Sequence, residues 1–193
     1  MMAPDAFPDE PTGPFEPPPR TFEDGRGRTL ALRRYGETLD DVAAERRALV
    51  AMYDDFDPAD RAQGIPPSNG PAVRTWLDGL LVDAAIHVLA WDEDAVAGHA
   101  ILVPDRTGAY ELAIFVHQDY QGAGVGTRLI RALLGAGAEA GVERVWLTVE
   151  RWNRPAIALY KGVGFETTEA ASFDLEMALR LAPVATSPPS EDP

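Results

Sequence analysis

The chain predicts a mixed α/β fold: a mostly antiparallel sheet that includes one parallel pair, with helices on both faces. Three observations carry this. Apolar runs at 85–91, 97–103 and Tyr110–Val116 follow one another across Asp- and Gly-rich gaps and read as an antiparallel meander. An amphipathic helical stretch then separates Tyr110–Val116 from a further apolar run at 142–149, so these two strands can run parallel. Two helical stretches before the meander and a short one after it supply the covering layers.

Residues 1–26 hold seven prolines and few periodic apolar positions, which predicts a disordered arm, and the tail 182–193 reads the same way. A single domain over 27–181 remains. Its first strand, 29–35, places Leu30, Leu32 and Arg34 on one face. Thr38 is a candidate cap for a helix whose buried stripe is Ala43, Leu49, Val50 and Tyr53. The stretch 57–71 is dense in Pro, Gly, Asp and Asn and predicts a loop. Pro71 suits the start of a second helix with Val73, Trp76, Leu77 and Leu80 at core spacing. In the third helix the recurring residues are Leu129, Ile130, Leu133 and Leu134, with Gly141 as its C′ residue. Asn153 and Pro155 open a short helix that Gly164 closes, and a final strand is expected over 173–179.

The 193 residues carry 31 acidic against 17 basic side chains, a formal charge of −14, and Lys161 is the one lysine. Such a surface repels phosphate backbones and anionic lipid, which argues against nucleic-acid and membrane partners. A high-salt habitat and a GC-rich genome are both open as origins of the acidity. Cysteine is absent, which rules out disulfides and thiolate chemistry. There is no basic and apolar leader and no long apolar run, so a cytoplasmic location is expected. His87 and His99 read as partly buried strand residues; without a third ligand they predict no metal site.

The chemistry concentrates where the strand Tyr110–Val116 passes through HQDY into QGAGVG and onto a helix. First-turn amides have no intrahelical acceptor, and glycine lets an anion come close to them. The helix dipole adds roughly half a positive charge. This predicts a cradle for a phosphate-bearing ligand.

Gln121-x-x-Gly124-x-Gly126 after the strand, VWLTV at 145–149, Asn153, and ALYKGVGFE at 158–166 together resemble the signature of the GNAT superfamily of acetyl-CoA-dependent N-acyltransferases. The resemblance implies that the strands matching Tyr110–Val116 and 145–149 splay apart and that the pantetheine arm of acetyl-CoA lies between them. It further implies that the backbones of Ile114, Phe115 and Val116 bond the pantetheine amides. The N–H groups of Gln121, Gly122, Ala123, Gly124, Val125, Gly126 and Thr127 would hold the pyrophosphate. An N–H near Val116 would stabilise the oxyanion, Asn153 would orient the cofactor arm, and Tyr160 would protonate the departing thiolate. The implied activity is direct transfer of an acetyl group to a primary amine, on a small molecule or a peptide, in a ternary complex without a metal. A homodimer is left open.

For the base, Glu111 is the candidate carboxylate, with His117 just past the strand and water as alternatives. Strand alternation puts Glu111, Ala113 and Phe115 opposite Tyr110, Leu112 and Ile114. Tyr53 and Trp76 could line an acceptor pocket or belong to the core. Two rival readings are open from the sequence: an NAD- or FAD-binding enzyme, because Gly122-Ala-Gly124-Val-Gly126 partly resembles a dinucleotide loop, and a non-catalytic acyl-CoA sensor.

Overall fold

The computed structural model describes residues 7–37, 41–61, 65–67, 69–170 and 173–183. The elements are β1 (Pro11–Thr12), β2 (Arg20–Glu23), β3 (Thr29–Arg34), α1 (Val42–Asp54), α2 (Gly70–Leu80), β4 (Ile86–Asp92), β5 (Ala95–Pro104), β6 (Tyr110–Val116), α3 (Val125–Glu139), β7 (Arg144–Glu150), α4 (Arg154–Val163), β8 (Glu166–Ala170) and β9 (Asp174–Leu181). The sheet order is β1-β9-β7-β6-β5-β4-β3-β2, with β8 also paired to β9. Most pairs are antiparallel; β6 with β7 and β1 with β9 are parallel.

The fold follows from two buried sheet faces. On one, Leu129, Ile130, Leu133 and Leu134 of α3 are fully buried against Leu30, Leu32, Val88, Ala100 and Leu102. On the other, Leu49, Tyr53, Val73 and Leu77 of α1 and α2 pack on Leu89, Trp91 and Val96. Strands β4 and β5 are covered on both sides, which explains their unbroken apolar runs where a half-exposed strand would alternate. Each buried leucine contributes about 1.5–3 kcal/mol. The N-termini of α1, α2 and α4 are closed by side chains: Asp41 accepts from Ala43 and Ala44, Asn69 from Ala72 and Asn153 from Ala156.

Several expectations are corrected. Within its described part the N-terminal arm is ordered: β1 pairs with Arg180 and Leu181, and β2 pairs with β3 along Arg20–Glu23. Between them the arm crosses α3 so closely that a Cβ on Gly135 would stand 2.6 Å from the Glu16 carbonyl carbon. Its anchors are Phe7, Phe15 and Phe22, faced by the guanidinium groups of Arg144, Arg131 and Arg128 at 5.5, 5.7 and 5.9 Å from the ring centres. Three isolated anchors among seven prolines leave no continuous apolar pattern, so the composition of the arm predicts disorder where the structure has order. Thr38 lies outside the described residues, and Asp41 is the observed cap of α1. Ala43 is exposed, while Glu45 occupies a fully buried position with its Oε2 accepting from Gly36 N at 2.6 Å. Strand β8, with sequence ETTEA, lacks the apolar alternation that would have announced it. At the C-terminus Ala182 N donates to Thr12 O at 3.0 Å, and residues beyond 183 lie outside those described.

Candidate active site

Strands β6 and β7 share two rungs, Tyr110↔Val145 and Glu111↔Trp146, and then separate. On its other side β6 is paired with β5 along its whole length, from Pro104↔Tyr110 to Gly98↔Val116. His117 N donates to Ala97 O at 3.0 Å, so the two-residue alternation of an antiparallel ladder turns the polar groups of Phe115 toward β5. Ile114 and Val116 turn theirs into the gap. This corrects the expectation for Phe115, whose backbone is taken up by the sheet. The Val116 carbonyl is itself occupied by the Gln121 side chain at 3.0 Å, which leaves the Val116 N–H to face the gap.

The far end of the gap opens at the N-terminus of α3. Its N-cap, Gly124, sits at φ +83 in the left-handed region, where glycine is favoured, and no side chain caps the helix. The first-turn amides of Val125, Gly126 and Thr127 have no intrahelical acceptor. A Cβ on Gly124 would meet nothing within 4 Å, whereas one on Gly126 would stand 2.9 Å from Leu159 Cδ1. Gly124 is thus a conformational requirement and Gly126 a packing one, letting α3 approach α4. Gln121 does more than offer its amide: its side chain also donates to Asp60 Oδ2 at 2.8 Å and ties the α1–α2 connection to the loop.

Asn153 caps α4, its Oδ1 accepting from Ala156 N at 3.2 Å, so its amide NH₂ is the part left for a ligand. Tyr160 on α4 is 8% exposed and packs edge-to-face on Phe165 at 5.9 Å. Burial pushes its phenol up to about 12, so it keeps its proton at neutral pH. Glu111 stands on the last shared rung, at the closed foot of the gap. The residue is exposed, yet partial burial of its carboxyl raises its pKa above the ordinary value, and the charge of Asp105 adds to this.

The face of β6 turned to α1 and α2 carries Phe115 and His117. Phe115 meets Tyr53 at 5.4 Å and Trp76 at 5.6 Å, both edge-on, and Tyr53 is fully buried. Of the two aromatics read as possible pocket residues, Tyr53 is therefore core. His117 Nε2 lies 3.1 Å from Asp55 Oδ2, and Gln118 Nε2 donates to Asp55 O at 2.7 Å. Behind the loop stands the β2–β3 turn, residues 24–28, which sequence reasoning missed although its alternation DGRGR is a turn signal. Arg26 donates to Asp119 O at 2.7 Å and to Gln121 O at 3.1 Å. A cavity of about 490 Å³ lies elsewhere, against Arg34, His87 and the C-terminal end of α3 at Glu139. The candidate site is instead an open groove between two strands, formed by an unpaired strand edge and an uncapped helix start.

Comparison with known proteins gives a consistent picture. The family model described as "Acetyltransferase (GNAT) family" matches residues 49–165. Mycothiol acetyltransferase of Saccharomonospora viridis is 48% identical over 70 residues, which is 34% of this chain and 23% of that protein. The peptidyl-lysine N-acetyltransferase YjaB of Salmonella typhimurium is 27% identical over 139 residues, covering 72% of this chain and 82% of that one. The chain spans only 23%, 30%, 62% and 34% of the length of four other curated relatives, the mycothiol enzyme among them. Among solved structures, the GNAT domain of S. lividans PAT superposes with a TM-score of 0.70 at 16% identity, covering 84% of this chain and 96% of that one. The yncA protein of Salmonella typhimurium, solved with its cofactor acetyl-CoA, gives 0.62 at 19% identity over 81% and 96%. At these identities the structural matches speak for the fold alone.

Proposed function

The chain belongs to the acetyltransferase (GNAT) family, and from that premise we propose that it moves an acetyl group from acetyl-CoA directly to a primary amine while both are bound. The observation that carries this is the parting of β6 and β7 after Glu111↔Trp146, which leaves an unpaired strand edge leading to the uncapped start of α3. A pantetheine arm has amides that can pair with such an edge, and a diphosphate has the charge that such a helix start favours. A fold neighbour solved with acetyl-CoA supports the choice of donor.

The residues fit this role as follows. The backbone of Ile114 hydrogen-bonds the amide arm, and the Val116 N–H meets the thioester carbonyl oxygen as it gains charge. The amide of Asn153 orients the arm. The amine nitrogen forms the new C–N bond as the C–S bond breaks, and holding both reactants together supplies much of the rate. Tyr160 bonds the departing sulfur. A phenol near 12 is a weaker acid than an ordinary thiol near 8.5, so its contribution is hydrogen-bond stabilisation first and proton delivery second. Glu111 takes the proton from the amine. It stands three residues from Ile114, roughly 10 Å at ~3.3 Å per strand residue, so it works through intervening water.

The acceptor class is an amine on a small molecule or a peptide; YjaB, named as a peptidyl-lysine enzyme, gives the peptide arm of a screen. Thiol release from acetyl-CoA, followed across a panel of amines and lysine peptides, tests the reading. Amine-dependent release is expected. Binding of acetyl-CoA without release under any amine would favour the sensor reading, and stabilisation by NAD instead of acetyl-CoA would favour a dinucleotide enzyme.

A further inference from the structure

We propose that the β2–β3 turn, residues 24–28, is part of the donor site: it grips the carbonyl side of the loop 119–124, so that the loop amides are turned outward to a bound diphosphate. This rests on the acetyl-CoA reading above and extends it to a segment that precedes the residues 49–165 matched by the family.

The first observation is the pattern of carbonyls that the turn engages. Arg26 donates to Asp119 O (2.7 Å) and Gln121 O (3.1 Å), Arg28 donates to Asp119 O (3.1 Å), and Gly25 N donates to Ala123 O (2.8 Å). Three alternate carbonyls, at 119, 121 and 123, thus point at the turn. In a trans peptide the carbonyl and the following N–H point in opposite directions. The Gln121 and Ala123 carbonyls therefore send the N–H groups of Gly122 and Gly124 away from the turn, and a Cβ on either glycine would meet nothing within 4 Å. Amides aimed outward from a glycine loop are what an anion requires.

The second observation is that the turn is itself rigid. Asp24, 6% exposed, accepts from Arg26 N at 2.8 Å, from Arg28 N at 3.0 Å and from Arg28 Nε at 2.8 Å. The Arg28 guanidinium lies 4.1 Å from the centre of the Tyr120 ring, and Tyr120 OH donates to Asp92 at 2.9 Å. The turn is therefore braced from behind by side chains of the sheet and the loop.

The third observation is charge. Arg28 is paired with Asp24, but among the described residues Arg26 makes no ion pair and is exposed. The loop 121–126 contains no basic residue. From behind the loop, Arg26 thus adds a positive charge to the field at a site on a chain of formal charge −14, where the field otherwise repels a nucleotide donor.

The test compares two acetyl donors, acetyl-CoA and S-acetyl-pantetheine, which lacks the diphosphate and nucleotide. Wild type and the Arg26→Ala and Arg26→Gln variants are each titrated with both donors at low and at 0.5 M potassium chloride. Arg26→Ala is expected to weaken acetyl-CoA about tenfold, as the loop amides lose the hydrogen bonds that hold them outward, and to leave acetyl-pantetheine within twofold. Its acetyl-CoA affinity should also fall less steeply with salt than that of wild type. Arg26→Gln can still donate to a loop carbonyl, so it is expected to fall between the two and to keep the wild-type melting temperature. Equal losses for both donors, or unchanged acetyl-CoA affinity in both variants, overturn the inference while the acetyltransferase reading stands. Failure of the wild type to bind acetyl-CoA overturns that reading, and the inference with it.

Discussion

His87 Nδ1 lies 3.0 Å from His99 Nε2, the two rings stacked 5.2 Å apart inside the sheet–helix core. The proton positions in this pair follow from its ends. Leu80 O can only accept, so His87 Nε2, 3.1 Å away, carries the hydrogen. A neutral His87 then accepts at Nδ1 from His99 Nε2–H, and His99 Nδ1 accepts from Tyr53 OH at 2.7 Å. One backbone carbonyl thus sets the tautomers of two histidines and the direction of a tyrosine hydroxyl on α1.

This chain predicts acid lability. Burial lowers His87 to about 4 and lowers His99 well below its ordinary value, where the neighbouring His87 adds to the effect. The unfolded chain takes up these protons near 6.5, so between 6.5 and about 4 it binds more protons than the folded one. Stability contributed by neutral His87 is therefore complete above pH ~6.5 and is lost as pH falls toward 4, by on the order of 3 kcal/mol. Urea midpoints followed from pH 7 to 4 should fall more steeply for wild type than for His87→Asn. Parallel curves would show that the pair is not the proton-linked element.

Tyr160→Phe keeps the ring against Phe165 and removes only the hydroxyl. We expect kcat to fall about 10²-fold, the low end for a proton-donating group, with acetyl-CoA affinity within twofold. Steady-state kinetics beside a direct binding titration separate the outcomes. A loss of affinity at constant kcat would make Tyr160 part of the donor wall.

Glu111→Gln removes the proposed base while keeping its size. Wild-type kcat/KM should drop on the acid side with an apparent pKa above that of an ordinary glutamate, the direction in which packing and Asp105 move this carboxyl. The variant should lose roughly 10²-fold at pH 7 and lose that acid limb. An unchanged pH profile would pass the role to His117, held 3.1 Å from Asp55, or to water.

Gly126→Ala probes the contact between α3 and α4. Its Cβ would lie 2.9 Å from Leu159 Cδ1 and 3.6 Å from Val116 Cγ2. Overpacking of this kind costs about 1–3 kcal/mol, read from denaturant midpoints. Leu159→Ala in the same chain should recover part of that loss, since the two changes act on one contact. Additive losses would show that the strain lies elsewhere.

The sequence by itself determined the strand Tyr110–Val116, the uncapped glycine entry to α3, the cap at Asn153, and the order of these parts. Each is written in neighbouring residues, as apolar period, glycine or capping side chain, and such signals act within a few positions of themselves. It also placed Tyr160 on a helix that follows the splayed strand. What only the tertiary structure decided are the pairings between distant segments. Ladder register turned Phe115 toward β5 and Val116 to the gap, which a strand read alone cannot reveal because both edges look alike. The proline-rich arm gained its strands from edges offered by β3 and β9, whose unpaired N–H and C=O groups accept partners of almost any sequence. Arg26 reached the loop across 93 positions, and Tyr53 reached His99 across 46. Contacts of that span carry no local period or motif; they exist because packing the two faces of one sheet brings those ends together.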